Sequence, residues 1–163
     1  MNLFLIVLML VFSSVDQRKD VVAESSSYSY ADSIDKEKLL QLINDARANG
    51  VTCEGTYYPP VPEITWNDAL ETAAQQHCND MLQHRYFSHT GSDGSDAGSR
   101  MEQAGYRWKF FGENIGMGYK NEQEVVDGWL HSPGHCKNIM DKNFKEMGIA
   151  RAGNYWTQDL GGK

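Results

Sequence analysis

An α+β fold is predicted by three features of the 163-residue sequence. Two segments in its first half carry apolar residues at helical spacing, and a third helix opens later on a capping pattern. Near the C-terminus, Met147 to Ala150 and Tyr155 to Leu160 read as strands joined by Ala152-Gly153-Asn154, a hairpin. Helices leading into an antiparallel hairpin, with no internal repeat, define the class.

The chain opens with Leu3 to Phe12, LFLIVLMLVF, ten apolar residues without interruption. A bilayer-spanning helix needs about 20 such residues, whereas the core of a signal peptide needs fewer. No Lys or Arg precedes the run, and Val11-Phe12-Ser13 and Val21-Val22-Ala23 are alternative cleavage sites. The other reading of the run is a buried strand or helix of the domain. Residues 24–33 are rich in Ser and Tyr without an apolar period, as a spacer would be. The expected organisation is a signal peptide at 1–23, a spacer at 24–33 and one domain at 34–163. Such a chain is secreted, to a periplasmic or extracellular location, and the mature protein has no transmembrane span.

Leu39, Leu42, Ile43 and Ala46 form the stripe of a helix from Asp35 to Asn49, capped by Asp35 or Ser33 and stopped by Gly50. Cys53, Gly55 and the prolines at 59, 60 and 62 make Val51 to Glu63 a loop. Ile64-Thr-Trp66 leads into a second helix, capped by Asn67 and running to about Gln83. Leu70, Ala73, Ala74, Cys78, Met81 and Leu82 form its inner face, and the alanines permit close approach to a sheet or helix. A polar, glycine-rich loop spans Ser88 to Gly98, and Ser99 to Ala104 reads as a short helix ended by Gly105. Asn121-Glu-Gln-Glu124 caps a helix that turns Val125, Val126 and Trp129 inward and ends before Pro133. Trp66, Trp129 and Trp156 fall on inner faces, leaving Trp108, beside Arg107 and Lys109, as the tryptophan expected at the surface.

Hydrophobic residues make up 40% of the chain, which excludes disorder over its whole length. The formal net charge is −7, and because Asp16, Arg18, Lys19 and Asp20 cancel, removal of the leader leaves it unchanged. An acidic surface repels phosphate backbones and anionic headgroups, so no nucleic-acid partner is expected.

Of the five histidines, His77 lies beside the apolar stripe of the second helix and reads as structural. His84 sits where an imidazolium suits the helix dipole. His89, His131 and His135 lie beside turn residues, where functional side chains are displayed. His131 and His135 have the i, i+4 spacing of a zinc-binding helix, but Pro133 and Gly134 lie between them, so the shared helical face fails.

Three cysteines are too few for a disulfide-built miniprotein. Cys136 follows His135, which invites a Cys–His nucleophile, although adjacent residues rarely point at each other. An accessible thiol in a secreted chain oxidises instead. With Cys53 in a loop, Cys136 in a turn and Cys78 on a buried helical face, a Cys53–Cys136 disulfide with Cys78 free is the preferred pairing. It would close a loop of about 80 residues and stabilise the fold by about 4 kcal/mol.

Four segments occur in order: Phe87-Ser-His-Thr90, Gly112-Glu-Asn-Ile-Gly116, Gly128-Trp-Leu-His-Ser-Pro-Gly-His135 and Tyr155-Trp-Thr-Gln158. Ile64-Thr-Trp-Asn-Asp-Ala-Leu70 and Asn138-Ile-Met140 support them. From about Ile34 to Gly161 the set resembles the bacterial SCP-domain branch of the CAP superfamily, which comprises cysteine-rich secretory proteins, antigen 5 and pathogenesis-related proteins. The resemblance implies an α-β-α sandwich with a small central antiparallel sheet between helical layers. It also implies a cleft where two histidines and acidic residues converge, which by motif position are His89, Glu113 and His135. Eukaryotic members carry a second glutamate three residues after the helix tryptophan; that position is Ser132 here, as in the bacterial branch.

Two imidazoles, His89 and His135, can hold zinc or another divalent cation, while Glu113 ligates it or orients a bound water. Without metal the same groups form a pH-sensitive polar clamp, and the alternative role for Glu113 is to bond backbone groups of the sheet. The expected function is a secreted binding module whose cleft, lined by His89, Glu113, Ser132 and His135, takes a small lipid-like or cell-envelope ligand. The alternatives are a metal-assisted peptidase or esterase with His89, Glu113 and His135 as catalytic candidates, and a structural envelope protein. The oligomeric state is left open.

Overall fold

The computed structural model describes residues 33–163. The signal peptide expected at 1–23, and all but the last residue of the spacer, lie outside the described residues.

The first helix, α1, spans Lys36–Asn49, and of the two candidate caps Asp35 is the one used, its side chain accepting from Lys38 N at 2.9 Å. Leu39 and Ile43 are buried as the apolar period requires, and so is Arg47, which that period does not identify. Its guanidinium is fully enclosed and donates to the carbonyls of Pro62, Ile139, Asp141 and Phe144 at 2.6–3.1 Å. Four carbonyls from two separate loops thus converge on one planar donor, which ties α1 to both.

The segment expected to be a loop after α1 contains a hairpin, β1 (Val51–Cys53) and β2 (Thr56–Tyr58). Its two-residue turn places Glu54 and Gly55 at φ 42° and 85°, the left-handed pair that matches strand twist. The prolines follow the hairpin rather than interrupting it. Thr65–Trp66 forms a short strand, β3, and α2 runs Asp68–His84 with Asn67 capping Ala69 N and Leu70 N. The short helix α3 starts two residues earlier than expected, at Ala97–Gln103, because Asp96 caps Ser99 N at 2.7 Å.

Phe110–Met117 forms β4, a strand with no clear alternation to announce it. Glu122–Leu130 is α4, capped by Asn121. The capping box is displaced by one residue, since Glu124 accepts from the backbone N–H of Lys120, and from the cap only through the Asn121 side-chain amide. Pro133 then begins a further helix, α5 (Pro133–Ile139), so Cys136 lies on a helix and not in a turn. Proline at the first helical position lacks only a donor that would be unpaired there anyway. The hairpin is formed by β5 (Glu146–Ala152) and β6 (Tyr155–Gly162).

The main sheet has the order β3-β5-β6-β4 and is antiparallel except for β3, which runs parallel to β5 over two residues. Helices α1, α4 and α5 cover one face, where Leu39, Ile43, Trp129, Ile139, Met147, Ile149, Trp156 and Leu160 share the main core. On the other face α2 lies so close that a Cβ on Gly148 would stand 2.0 Å from Glu71 N, which only glycine avoids. Thus α2 and α3 complete an α-β-α sandwich. The Cys53–Cys136 disulfide joins the small hairpin to α5, and Cys78 is a buried free thiol.

Trp108 departs from expectation: it is half-buried, donates to Gly98 O at 3.1 Å and packs against Phe111 with ring centroids 4.5 Å apart. Trp66 is half-buried at the sheet margin, beneath Lys36. The large apolar side chains that face solvent are instead Tyr57, Phe87, Phe110, Phe111 and Met117.

Candidate functional site

Strand β4 is an edge strand, and its successive side chains leave opposite faces of the sheet. Glu113 points to the α2–α3 layer. Its side chain is 3% exposed, accepting from His89 Nδ1 at 2.7 Å through Oε1 and from Arg100 Nη2 at 2.6 Å through Oε2. A carboxylate only accepts, so the His89 ring donates to it through Nδ1. The His89 side chain is 57% exposed, which makes it the solvent-facing partner of the buried Glu113–Arg100 ion pair. Glu113 therefore bonds side chains and not backbone groups of the sheet.

Arg100 also donates to Ser95 O and His89 O, clamping the loop that carries His89. His77, expected to be structural, is fully buried on α2; its Nε2 lies 2.9 Å from Ser88 O and 3.9 Å from Glu113 Oε2. Burial holds its pKa below the ordinary imidazole range, against the pull of Glu113. Upstream, Arg85 adopts a left-handed conformation (φ 55°) that ends α2 and turns the chain back along it. Asp80 gathers the returning loop, accepting from Ser92 N at 2.8 Å and from the hydroxyls of Ser92 and Tyr86. Burial opposes its ionisation, but these hydrogen bonds and His84 pull its carboxyl down to about 2. A cavity of about 150 Å³ beside this loop is lined by Asp80, Ser92, Ser95 and Arg100 among others.

Asn114, the next residue of β4, points to the opposite layer, where its Nδ2 donates to His135 O and Gln158 Oε1 at 3.3 and 2.8 Å. Asn138 of α5 donates to Asn114 Oδ1 at 2.9 Å and reaches the Glu113 carbonyl at 3.3 Å, while Trp129 Nε1 takes the Ile115 carbonyl at 3.2 Å. These side chains occupy acceptors on the open edge of β4 and fix α5 beside it. His135 is half-buried and electrostatically coupled to His89; burial, then His89, holds its pKa below the usual range. His89 and Glu113 are thus joined at the edge of the sheet on one helical layer, while His135, on the other layer, is tied to β4 through its backbone carbonyl.

Ser132 sits at the α4–α5 junction in extended conformation, without a side-chain cap bond, and no contact among the described residues ties it to His89 or Glu113. His131 caps α4 through Asp127 O at 2.7 Å and belongs to a different helix from His135, so the two make no clip. His84 contacts Asp80 at 2.8 Å near the end of α2. The Cys–His nucleophile is overturned, because Cys136 is bonded to Cys53, with Cα atoms 5.8 Å apart. Burial pushes the Cys78 thiol up to about 12, which leaves it inert.

Arg100 and Asp159 are the residues that sequence reasoning passed over. Arg100 carries no local signal, whereas Asp159 falls within the predicted strand Tyr155 to Leu160, where carboxylates are uncommon. Asp159 is fully buried directly opposite Glu113, and neither carboxyl oxygen has a hydrogen-bond partner among the described residues. Burial, then Glu113, pushes its pKa well above the carboxylate range.

Among the described residues no group of three or more His, Cys, Asp or Glu side chains is arranged to hold a metal ion. Both Glu113 oxygens are engaged by His89 and Arg100, so of the three candidate ligands only the two imidazoles are left as donors. That set falls short of the three protein ligands of an open zinc site.

The model of the CAP family, described as the cysteine-rich secretory protein family, matches residues 40–160. The Bacillus subtilis (strain 168) protein YkwD is 35% identical over 99 residues, covering 60% of this chain and 38% of its own. An extracellular SCP-domain protein of Bacillus anthracis str. Ames superposes with a TM-score of 0.68 at 26% identity, over 78% of this chain and 40% of that one. An outer surface protein of Borrelia burgdorferi superposes with a TM-score of 0.62 at 18% identity, over 82% of this chain and 98% of its own, a likeness of fold. The chain spans about two-fifths of the length of the two Bacillus proteins.

Proposed function

We propose, for a chain that belongs to the CAP family of cysteine-rich secretory proteins, that the edge of β4 is a binding cleft for a small cell-envelope ligand with both polar and apolar parts. The observation that carries this reading is the exposed His89 imidazole anchored on the buried Glu113–Arg100 pair. Burying an ion pair is costly, and a fold that needed only stability would fill the position with apolar side chains. Here the pair orients one solvent-facing group.

An apolar shoulder supports a ligand with a lipid-like portion. Phe87, two residues before His89, packs on Tyr155 with ring centroids 6.5 Å apart, and Met117 lies opposite Tyr155 in the sheet. Phe87 and Met117 are 45% and 52% exposed. Exposed apolar groups beside oriented polar ones are the usual composition of a ligand site. The disulfide and the likeness to an extracellular Bacillus anthracis protein support a location outside the cell. No described helix is long and apolar enough to cross a membrane.

Native mass spectrometry of the protein from its own source tests the reading, together with a panel of envelope lipids and cell-wall fragments. A retained or captured compound is expected, with binding lost in His89→Ala. Binding that survives both His89→Ala and His135→Ala would place the ligand elsewhere.

A further inference from the structure

We propose that Asp159 is the protonated member of a carboxyl–carboxylate pair with Glu113, and that its O–H bond positions Glu113 to hold His89. The proposal rests on the reading of the β4 edge as a binding cleft and assigns a role to a residue that does not reach that cleft.

Asp159 and Glu113 are directly opposite in the β4–β6 register, so both side chains leave the sheet on the α2–α3 face. Asp159 has no exposed surface and no donor to either oxygen, whereas Glu113 has a donor on each. Two carboxylates are acceptors only, so they can bond each other only when one carries a proton. The single negative charge of the pair belongs on Glu113, where a guanidinium and an imidazole N–H receive it, and the proton belongs on Asp159. Each Glu113 oxygen keeps a second lone pair that can accept the Asp159 O–H.

The surroundings leave Asp159 no other counter-charge. From α2 come His77, whose nearest charged contact is Glu113, and the Cys78 thiol, which stays protonated. Arg100 from α3 is engaged by Glu113, and β5 presents Gly148, which has no side chain. All the orphaned buried polar atoms among the described residues (His77 Nδ1, Arg100 Nε and both Asp159 oxygens) belong to this one cluster.

With Asp159 neutral, the charges of Glu113 and Arg100 balance beneath the cleft. Glu113 is then held from three directions, which fixes the Nδ1–H tautomer of His89 and leaves the Nε2 lone pair facing the ligand. Such a floor suits an uncharged donor, a hydroxyl or amide N–H, rather than a cation. Asp159 is a positioning residue, acting on the ligand only through Glu113 and His89.

Infrared spectroscopy of the ligand-free protein at neutral pH tests the assignment. One neutral carboxylic acid band is expected in the parent protein and lost in Asp159→Asn. Nitrogen NMR should show the His89 Nδ1–H tautomer retained in Asp159→Asn, whose amide still donates to Glu113, and mixed with the other tautomer in Asp159→Ala. Absence of the acid band, its persistence in Asp159→Asn, or an unchanged tautomer in Asp159→Ala would overturn the proposal. If Asp159→Ala does not fold, the infrared comparison decides. No ligand enters these measurements, so failure to find one in the cleft leaves their outcome intact.

Discussion

Glu113 and Asn114 are neighbours in the chain, yet they bond His89 and the backbone of His135 from opposite faces of the sheet. Glu113 accepts from the His89 side chain at 2.7 Å, and Asn114 donates to the His135 backbone at 3.3 Å. The two-residue period of a strand does this without a loop, and an edge strand lets both helical layers reach round it. The site is therefore as rigid as the sheet on one side of each contact.

Replacing Arg100 by Met is expected to destabilise the fold by about 3–5 kcal/mol, because it strands the buried Glu113 carboxylate. Denaturant titration measures the loss. Arg100→Lys should recover only part of it, since one ammonium cannot serve Glu113, His89 O and Ser95 O in the same geometry. A variant as stable as the parent would show that Glu113 is not ionised in the fold.

His89→Ala should behave differently, losing ligand binding with a smaller loss of stability than Arg100→Met, because Arg100 still serves the buried Glu113 carboxylate. Binding and denaturation measured on the same preparation separate the two effects. A large stability loss would make His89 a structural residue.

Non-reducing mass mapping should link Cys53 to Cys136, and the Cys53→Ala, Cys136→Ala double variant should lose about 4 kcal/mol. Cys78, with its thiol pushed up to about 12, should resist alkylation until the protein unfolds. Rapid labelling of Cys78 in the native protein would contradict its burial.

Asp80 predicts how the loop behaves in acid. Its folded-state pKa is depressed to about 2, so its contribution is present above the unfolded value near about 4 and is lost as pH falls through about 2. Amide exchange at Ser92, which donates its N–H to Asp80, should accelerate over that window and change little above it. Asp80→Asn should show the faster exchange already at neutral pH.

Zinc should bind weakly, since two imidazoles lack the third donor of an open site. Calorimetric titration of the parent and of the His89→Ala, His135→Ala double variant checks this. Tight binding abolished in the double variant would mean that the loop carrying His89 rearranges to bring in another ligand.

Much of the fold is legible one segment at a time. The caps at Asp35, Asn67 and Asn121, the stripe of α2 and the closing hairpin all follow from chemistry within a turn or two of each residue. The errors also have local causes. Proline after Ser132 reads as a helix breaker although it opens α5, and a Glu-Gly turn hides a hairpin inside a proline-rich segment. Strand β4, with exposed Phe110 and Phe111 and glycines at 112 and 116, lacks a period that would mark it.

The candidate site divides in the same way. The family resemblance nominates His89, Glu113 and His135, and the pairing of Cys53 with Cys136 is correct although Cys136 lies on a helix and not in the expected turn. Arg47, Arg100 and Asp159 are not recoverable so, because a buried charge is stable only through partners distant in sequence: Arg47 meets carbonyls 92–97 residues away. By itself the sequence determined α1 to α4, the closing hairpin and the disulfide pairing, and it nominated His89, Glu113 and His135 as candidates. The tertiary structure alone decided which charges are buried together beneath that cleft, since the cost of burying a charge depends on who its neighbours are.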